Sequence, residues 1–149
     1  MQVANPDKLV IDIAGEASVL MTMQEMSTAV QYNLPIKIFI LNNQYMGMVR
    51  QWQELLHEKN YSESYTAALP DFVKLAEAYG CVGIQAKKPD ELDEKINEML
   101  NVNKPVIFDC VVDPNENCFP MIPSGKPHNQ MLLGPEDEEE ISSEGKVLV

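Results

Sequence analysis

The sequence predicts an α/β fold: a mostly parallel sheet with helices on both faces, three layers in all, followed by an irregular C-terminal arm. Two observations carry the prediction. Four short apolar runs, 8–13, 36–41, 81–86 and 105–112, are rich in β-branched residues and have the length of strands. The stretches between them change to a helical period. Alternating strands and helices imply crossover units, which set neighbouring strands parallel and pack helices against the sheet.

Taken in order, KLVIDI (8–13) is the first strand, apolar, expected to be buried and running into Gly15. Leu20, Met23, Met26, Thr28 and Val30 then approximate an i, i+3, i+4 stripe, with Ser18 placed as the N-cap and Pro35 ending the helix by Leu34. IKIFIL (36–41) is a continuous apolar run of the kind buried on both faces. NNQYMG turns the chain into a helix over 48–56, and a polar connection leads to an amphipathic helix over 71–79, stopped by Gly80. A short strand (81–86) precedes a helix over 89–100, which opens with proline and acidic residues, and PVIFDCVV (105–112) is the last strand. Beyond Val112 proline, glycine, asparagine and acidic residues dominate. The expected organisation is an α/β module over 1–112, an ordered arm over 113–133 and an acidic, flexible tail over 134–149, whose run 136–140 serves solubility.

Composition narrows the function classes. A chain of 149 residues that is 45% hydrophobic fits one ordinary domain with a real core. A net charge of -12 without a basic patch argues against nucleic acid and against an anionic membrane surface as partners. Cys81, Cys110 and Cys118 are odd in number and lack zinc spacing, which predicts free thiols in a reducing cytosol. The first residues lack a basic n-region and a long apolar h-region, and no apolar run approaches the roughly 20 residues that span a bilayer. A soluble, cytoplasmic protein is expected. His57 and His128 sit in polar surroundings without triad partners, so both are expected at the surface and nucleophilic catalysis has little support.

In open parallel sheets ligands bind outside the carboxyl ends of the strands. Two loops occupy such ends, GEAS (15–18) and NNQYMG (42–47), separated by one helix and one strand. A small-residue turn feeding a helix offers backbone N–H groups to an anion, phosphate above all, and the Ser18 hydroxyl adds a donor. Neither loop carries Lys or Arg, so a bound diphosphate would need a divalent cation. Glu16 supplies a hard carboxylate, Asn43 an amide oxygen and the NNQYMG backbone a carbonyl, a donor set that suits Mg2+. Gly47 lets the backbone come close to the same ligand. Each loop alone is ordinary, since small βα turns and turn asparagines are common; their combination at this spacing carries the signal.

These residues also carry a family resemblance. GEAS followed by a helix, a strand and NN resembles the signature of thiamine diphosphate enzymes. VIDIAGEAS, LNNQYMGMVRQWQ, YSESY, LPDFVKLAEAYG and FPMIPSG resemble, over nearly all of 8–133, the C-terminal module of the acetohydroxyacid synthase (acetolactate synthase) large subunit. The resemblance implies a thiamine diphosphate-binding fold, with thiamine diphosphate and Mg2+ as cofactors. It puts Glu16, Asn43 and the Tyr45 carbonyl on the metal, Gly15, Ala17 and Ser18 at the diphosphate, and Met46, Gly47 and Met48 against the cofactor. It places Trp52 in the substrate channel under an arm formed by 119–125. Taken alone, Met46 and Met48 would pack a helix start and Trp52 would be a core anchor.

The resemblance further implies decarboxylation of pyruvate and its joining to pyruvate or 2-oxobutanoate, in branched-chain amino acid biosynthesis. Its setting would be a large-subunit homodimer with a regulatory small subunit, in the cytoplasm or in an organelle stroma or matrix. FAD and the glutamate that activates the cofactor belong to upstream domains in the family. No catalytic residue is therefore expected within this chain, which reads as a downstream, catalytically inactive piece of a larger reading frame. Glu16 departs from the family's usual aspartate by one methylene, roughly 1.5 Å of extra reach. The alternatives are another thiamine diphosphate-dependent 2-oxo acid decarboxylase or carboligase, from which GMVRQWQ discriminates, and a non-catalytic assembly module. A dinucleotide-binding domain fails for want of GxGxxG after the first strand.

Overall fold

A computed structural model describes residues 1–135; the acidic run 136–140 and the remainder of the expected tail through 149 lie outside the described residues. The elements are β1 (Ile11–Gly15), α1 (Glu16–Thr22), a 3-10 turn (Met23–Glu25), α2 (Met26–Gln31), β2 (Lys37–Asn42), α3 (Gly47–Leu56), α4 (Phe72–Tyr79), β3 (Val82–Ala86), α5 (Pro89–Asn101) and β4 (Val106–Val111). All strand pairings are parallel, in the order β1-β2-β4-β3. The chain clusters into two compact units, Met1–Gln44 with Ala67–Pro114, and Tyr45–Thr66 with the residues from Asn115 onward. The arm expected over 113–133 therefore shares a unit with α3 from Asn115 on.

The first unit holds the sheet and two cores. Ile40 and Ile107 pack with Val19 of α1, Met26 of α2 and Phe72 and Ala76 of α4. Phe108, Val106 and Ile84 pack with Met99 of α5, and Phe108 stacks on Phe39 with ring centroids 4.6 Å apart. Helices thus cover both faces in three layers, as crossovers between parallel strands require. At Gly83 α4 and β3 approach closely: a Cβ there would lie 2.7 Å from the Val73 backbone. Lys37 is buried at the start of β2, where its Nζ donates to the carbonyls of Val102 and Lys104 and ties down the end of α5. Burial pushes its pKa below the ordinary 10.5.

Three local expectations are corrected. β1 begins at Ile11 and is an edge strand, not a buried one; Ile13 is 69% exposed, because it lies on the face of Phe39 and Phe108, where α5 packs over β3 at the other edge of the sheet. The helix expected from Ser18 to Leu34 starts at Glu16 and is interrupted by the 3-10 turn, where Thr22 leaves helical geometry at φ -134 and ψ 12. Ser18 consequently lies inside α1, and Gly15, extended at φ -85 and ψ 161, is the N-cap. The strand runs into the helix without a linker, leaving no room for a separate capping residue.

Capping of the later helices follows the sequence closely. The Asp71 carboxylate accepts from the Val73 and Lys74 N–H groups, each at 3.1 Å, and Gly80 closes α4 in the left-handed conformation at φ 83. At the start of α5 the Glu91 carboxylate accepts from the N–H groups of Lys87 and Lys88. These backbone N–H groups hold both carboxyls below their ordinary values of 3.8 and 4.5. Depressed folded-state values mean a contribution that is complete above the ordinary values and is lost as pH falls through the folded ones. The thermal midpoint is expected to fall between about pH 5 and pH 3, and Asp71→Ala to flatten that fall. An Asp71→Ala profile parallel to the wild type would contradict it.

The second unit is built on α3 and the arm. The Gln51 amide donates to the Cys118 carbonyl at 3.1 Å, and its oxygen accepts from the Cys118 N–H at 2.7 Å. Arg50 pairs with Glu54 at 2.6 Å, donates to Asn115 and Asn117, and faces the rings of Tyr45 and Tyr61, each centroid 5.3 Å away. Met121 and Leu132 exchange backbone hydrogen bonds and join Leu55 in a small core. Cys81 and Cys110 are buried free thiols, Cys118 is an exposed one, and His57 and His128 are exposed. Among the described residues no helix is long and apolar enough to cross a membrane.

Candidate functional site

The carboxyl ends of β1 and β2 meet by register. Gly15 pairs with Leu41, so Glu16 leaves β1 one residue beyond that rung and Asn43 leaves β2 two beyond it. Adjacent strands lie about 4.8 Å apart, and the two loops singled out by sequence are therefore neighbours. Glu16 is the first residue of α1 and only 1% exposed. Gly15 contributes no side chain to the first turn, and a Cβ there would meet nothing nearer than Ser18 Oγ at 3.8 Å. The protein's own packing thus leaves the space over Gly15 open, as close approach of a ligand to backbone requires. A cleft of about 310 Å³ lies beside it, lined by Gly15 and Ser18 together with Asp12, Ile13 and Thr22. Ala17 is half-buried, and Ser18 is exposed in the first turn.

The second loop is shaped by Asn42. Its Oδ1 accepts from the Gln44 N–H at 3.3 Å, an Asx turn that carries Asn43 at its tip and holds Gln44 at φ 60. The Asn42 Nδ2 donates at 2.9 Å to Asp109 on β4, whose other oxygen accepts from Gln85 on β3 at 2.6 Å. Sequence reasoning passed over Asp109; the available signal was a lone acidic residue inside the apolar run PVIFDCVV.

Tyr45, Met46, Gly47, Met48 and Trp52 belong to the second unit. Tyr45 bridges to Tyr65 and the Met46 N–H donates to the Ser64 carbonyl, so the loop is paired just before Gly47 opens α3. Met46, Met48 and Trp52 are exposed, Trp52 at 45%. None of the three is a core residue, which removes the packing reading that their side chains suggest in isolation.

The donors at the two strand ends, a carboxylate and an amide oxygen, are hard and suit Mg2+. Among the described residues no three His, Cys, Asp or Glu side chains cluster to hold a metal. A cation here would draw on amide, backbone and ligand oxygens as well as Glu16, which is how Mg2+ is held beside phosphates.

Comparison with known proteins gives the family. Residues 1–110 match the family of C-terminal TPP binding domains of thiamine pyrophosphate enzymes. The chain is 47% identical over 132 residues to an acetolactate synthase large subunit from Cyanidium caldarium, covering 88% of this chain and 23% of that protein. It is 48% identical over 124 residues to the mitochondrial acetolactate synthase catalytic subunit of Saccharomyces cerevisiae, covering 83% and 18%. Among solved structures it is similar to the thiamine diphosphate-dependent 4-hydroxybenzoylformate decarboxylase of Rhodococcus jostii RHA1. The TM-score is 0.70 at 28% identity, over 78% of this chain and 22% of the other. The chain thus spans about a fifth of the length of these relatives.

Proposed function

The chain belongs to the thiamine pyrophosphate enzymes through their C-terminal TPP-binding domain, and on that premise we propose that it anchors the diphosphate of this cofactor through Mg2+, as the C-terminal module of an acetolactate synthase large subunit. The observation that carries the proposal is the rung Gly15–Leu41, which makes Glu16 and Asn43 leave adjacent strands side by side. Identity of 47–48% to acetolactate synthases, against 28% to the decarboxylase, favours the former over another 2-oxo acid enzyme.

Glu16 and Asn43, with the Tyr45 carbonyl, would hold the metal, and the metal would neutralise a diphosphate that no Lys or Arg in either loop can meet. Backbone N–H groups of Gly15 and Ala17 and the Ser18 hydroxyl would take the phosphate oxygens, with the space over Gly15 admitting them. Met46, Gly47 and Met48 would flank the cofactor, and Trp52 would line the approach of substrate. The chemistry that bound thiamine diphosphate supplies is decarboxylation of a 2-oxo acid such as pyruvate and its joining to pyruvate or 2-oxobutanoate. In this reading the active assembly is a homodimer of large subunits with FAD held elsewhere, joined by a regulatory subunit and located in cytoplasm or organelle matrix.

Titration of the purified 149-residue chain with thiamine diphosphate is expected to give heat in the presence of Mg2+ and none with EDTA. Pyruvate is expected to yield no acetolactate from this chain alone, because in this reading the glutamate that activates the cofactor is supplied by another domain of the family. Absence of Mg2+-dependent binding, even with the remainder of a large subunit added, would refute the anchoring role.

A further inference from the structure

We propose that Asp109 is a positioning residue for this site: through Asn42 it sets the turn that presents Asn43, an inference that rests on the metal-anchoring reading above. Asp109 lies in β4 between Phe108 and Cys110, all three buried, and is itself 2% exposed. A carboxylate in such a place is costly unless its oxygens are hydrogen-bonded. Both are, each by a side-chain amide from a neighbouring strand, Asn42 of β2 at 2.9 Å and Gln85 of β3 at 2.6 Å. Asp109 opposes Gln85 in register and Ile40 on its other side, and Asn42, two residues beyond Ile40 in β2, reaches it diagonally from the same face of the sheet.

The chemical point is polarity. A carboxylate with two amide donors offers acceptors only, so each amide must turn its NH2 group toward Asp109. For Asn42 that leaves one orientation, NH2 inward and oxygen outward, and the outward oxygen is the acceptor of the Gln44 N–H at 3.3 Å. The main chain of Asn42 is fixed independently, its carbonyl accepting from the Val112 N–H at 3.0 Å. With backbone and amide both set, the Asx turn holds Gln44 in the left-handed region at φ 60, and Asn43 sits between two constrained residues. Gln85 lies on the far side of Asp109 and makes no contribution to the turn, which separates support of the carboxylate from positioning.

The test compares Asp109→Leu with Gln85→Met in the 149-residue chain. Hydrogen exchange of the Gln44 amide, measured without any ligand, is expected to accelerate about tenfold in Asp109→Leu and to change less than twofold in Gln85→Met. Mg2+-dependent binding of thiamine diphosphate is expected to weaken about tenfold in the first variant and to hold in the second. Should Asp109→Leu fail to fold, Asp109→Leu/Gln85→Met, which leaves no orphaned glutamine amide, replaces it and is compared with Gln85→Met alone. Unchanged Gln44 exchange in the Asp109 variant, or equal acceleration in Gln85→Met, would overturn the proposal. A wild type that binds no cofactor would refute the metal-anchoring reading, while the exchange comparison would still decide the role of Asp109 in the turn.

Discussion

Glu16→Gln is expected to weaken Mg2+-dependent binding of thiamine diphosphate by about 100-fold or more, since it exchanges the one carboxylate at the two strand ends for a neutral amide of the same shape. Shape is retained, so the thermal midpoint without ligand should move little, and calorimetry separates the two effects. Glu16→Asp is the more informative change. The extra methylene of glutamate would be a defect if it pushed the carboxylate outward past the metal. The residue is instead 1% exposed, at a strand-to-helix junction with no linker residue, so its carboxylate is held within the protein's own packing rather than pushed out to solvent. Shortening it should therefore weaken binding about tenfold, because Mg2+ holds its ligands near 2.1 Å and forgives little misplacement. Tighter binding by Glu16→Asp would show that the longer side chain is such a defect.

Gly83→Ala is expected to destabilise the fold by about 3 kcal/mol, or roughly 10 °C in midpoint. The added Cβ would lie 2.7 Å from both the Cα and the carbonyl oxygen of Val73, and main-chain atoms cannot rotate aside as a flexible side chain would. Relief requires α4 to lift from β3, which would open the core around Phe72 and Ala76. Gly15→Ala provides the contrast, for there the nearest atom is Ser18 Oγ at 3.8 Å and the backbone is extended. That variant should keep its midpoint and lose cofactor affinity. A Gly83→Ala chain melting within about 2 °C of wild type would mean that the close approach of α4 to β3 is not needed.

The two glycines illustrate what a sequence conceals. Both follow from their letters as small residues in or beside a strand, yet one is small to admit a helix and the other is free of any such demand. Only the positions of Val73 and of the open space over Gly15 distinguish them. The same holds for the two adjacent asparagines. NN marks a turn at a strand end, but the division of labour, Asn42 inward to Asp109 and Asn43 at the tip, depends on β4 lying beside β2. Asp109 itself could be seen as an anomaly in an apolar run; nothing along the chain connects it with residues 42 and 85.

What the sequence determined by itself was the alternation of strands and helices, the proline, aspartate and glycine signals that bound α4 and α5, and the presence of two chemically suited loops at strand ends. These are readable because periodicity and capping are properties of residues close in sequence. Tertiary structure decided the order β1-β2-β4-β3, the exposure of β1 at the sheet edge, the break between α1 and α2, and the grouping of α3 with the arm. It also decided that Glu16 is buried and that Met46, Met48 and Trp52 are exposed. The reason is common to all of them: burial and pairing are set by residues distant in the chain, and a strand's sequence is nearly the same whether one neighbour lies beside it or two.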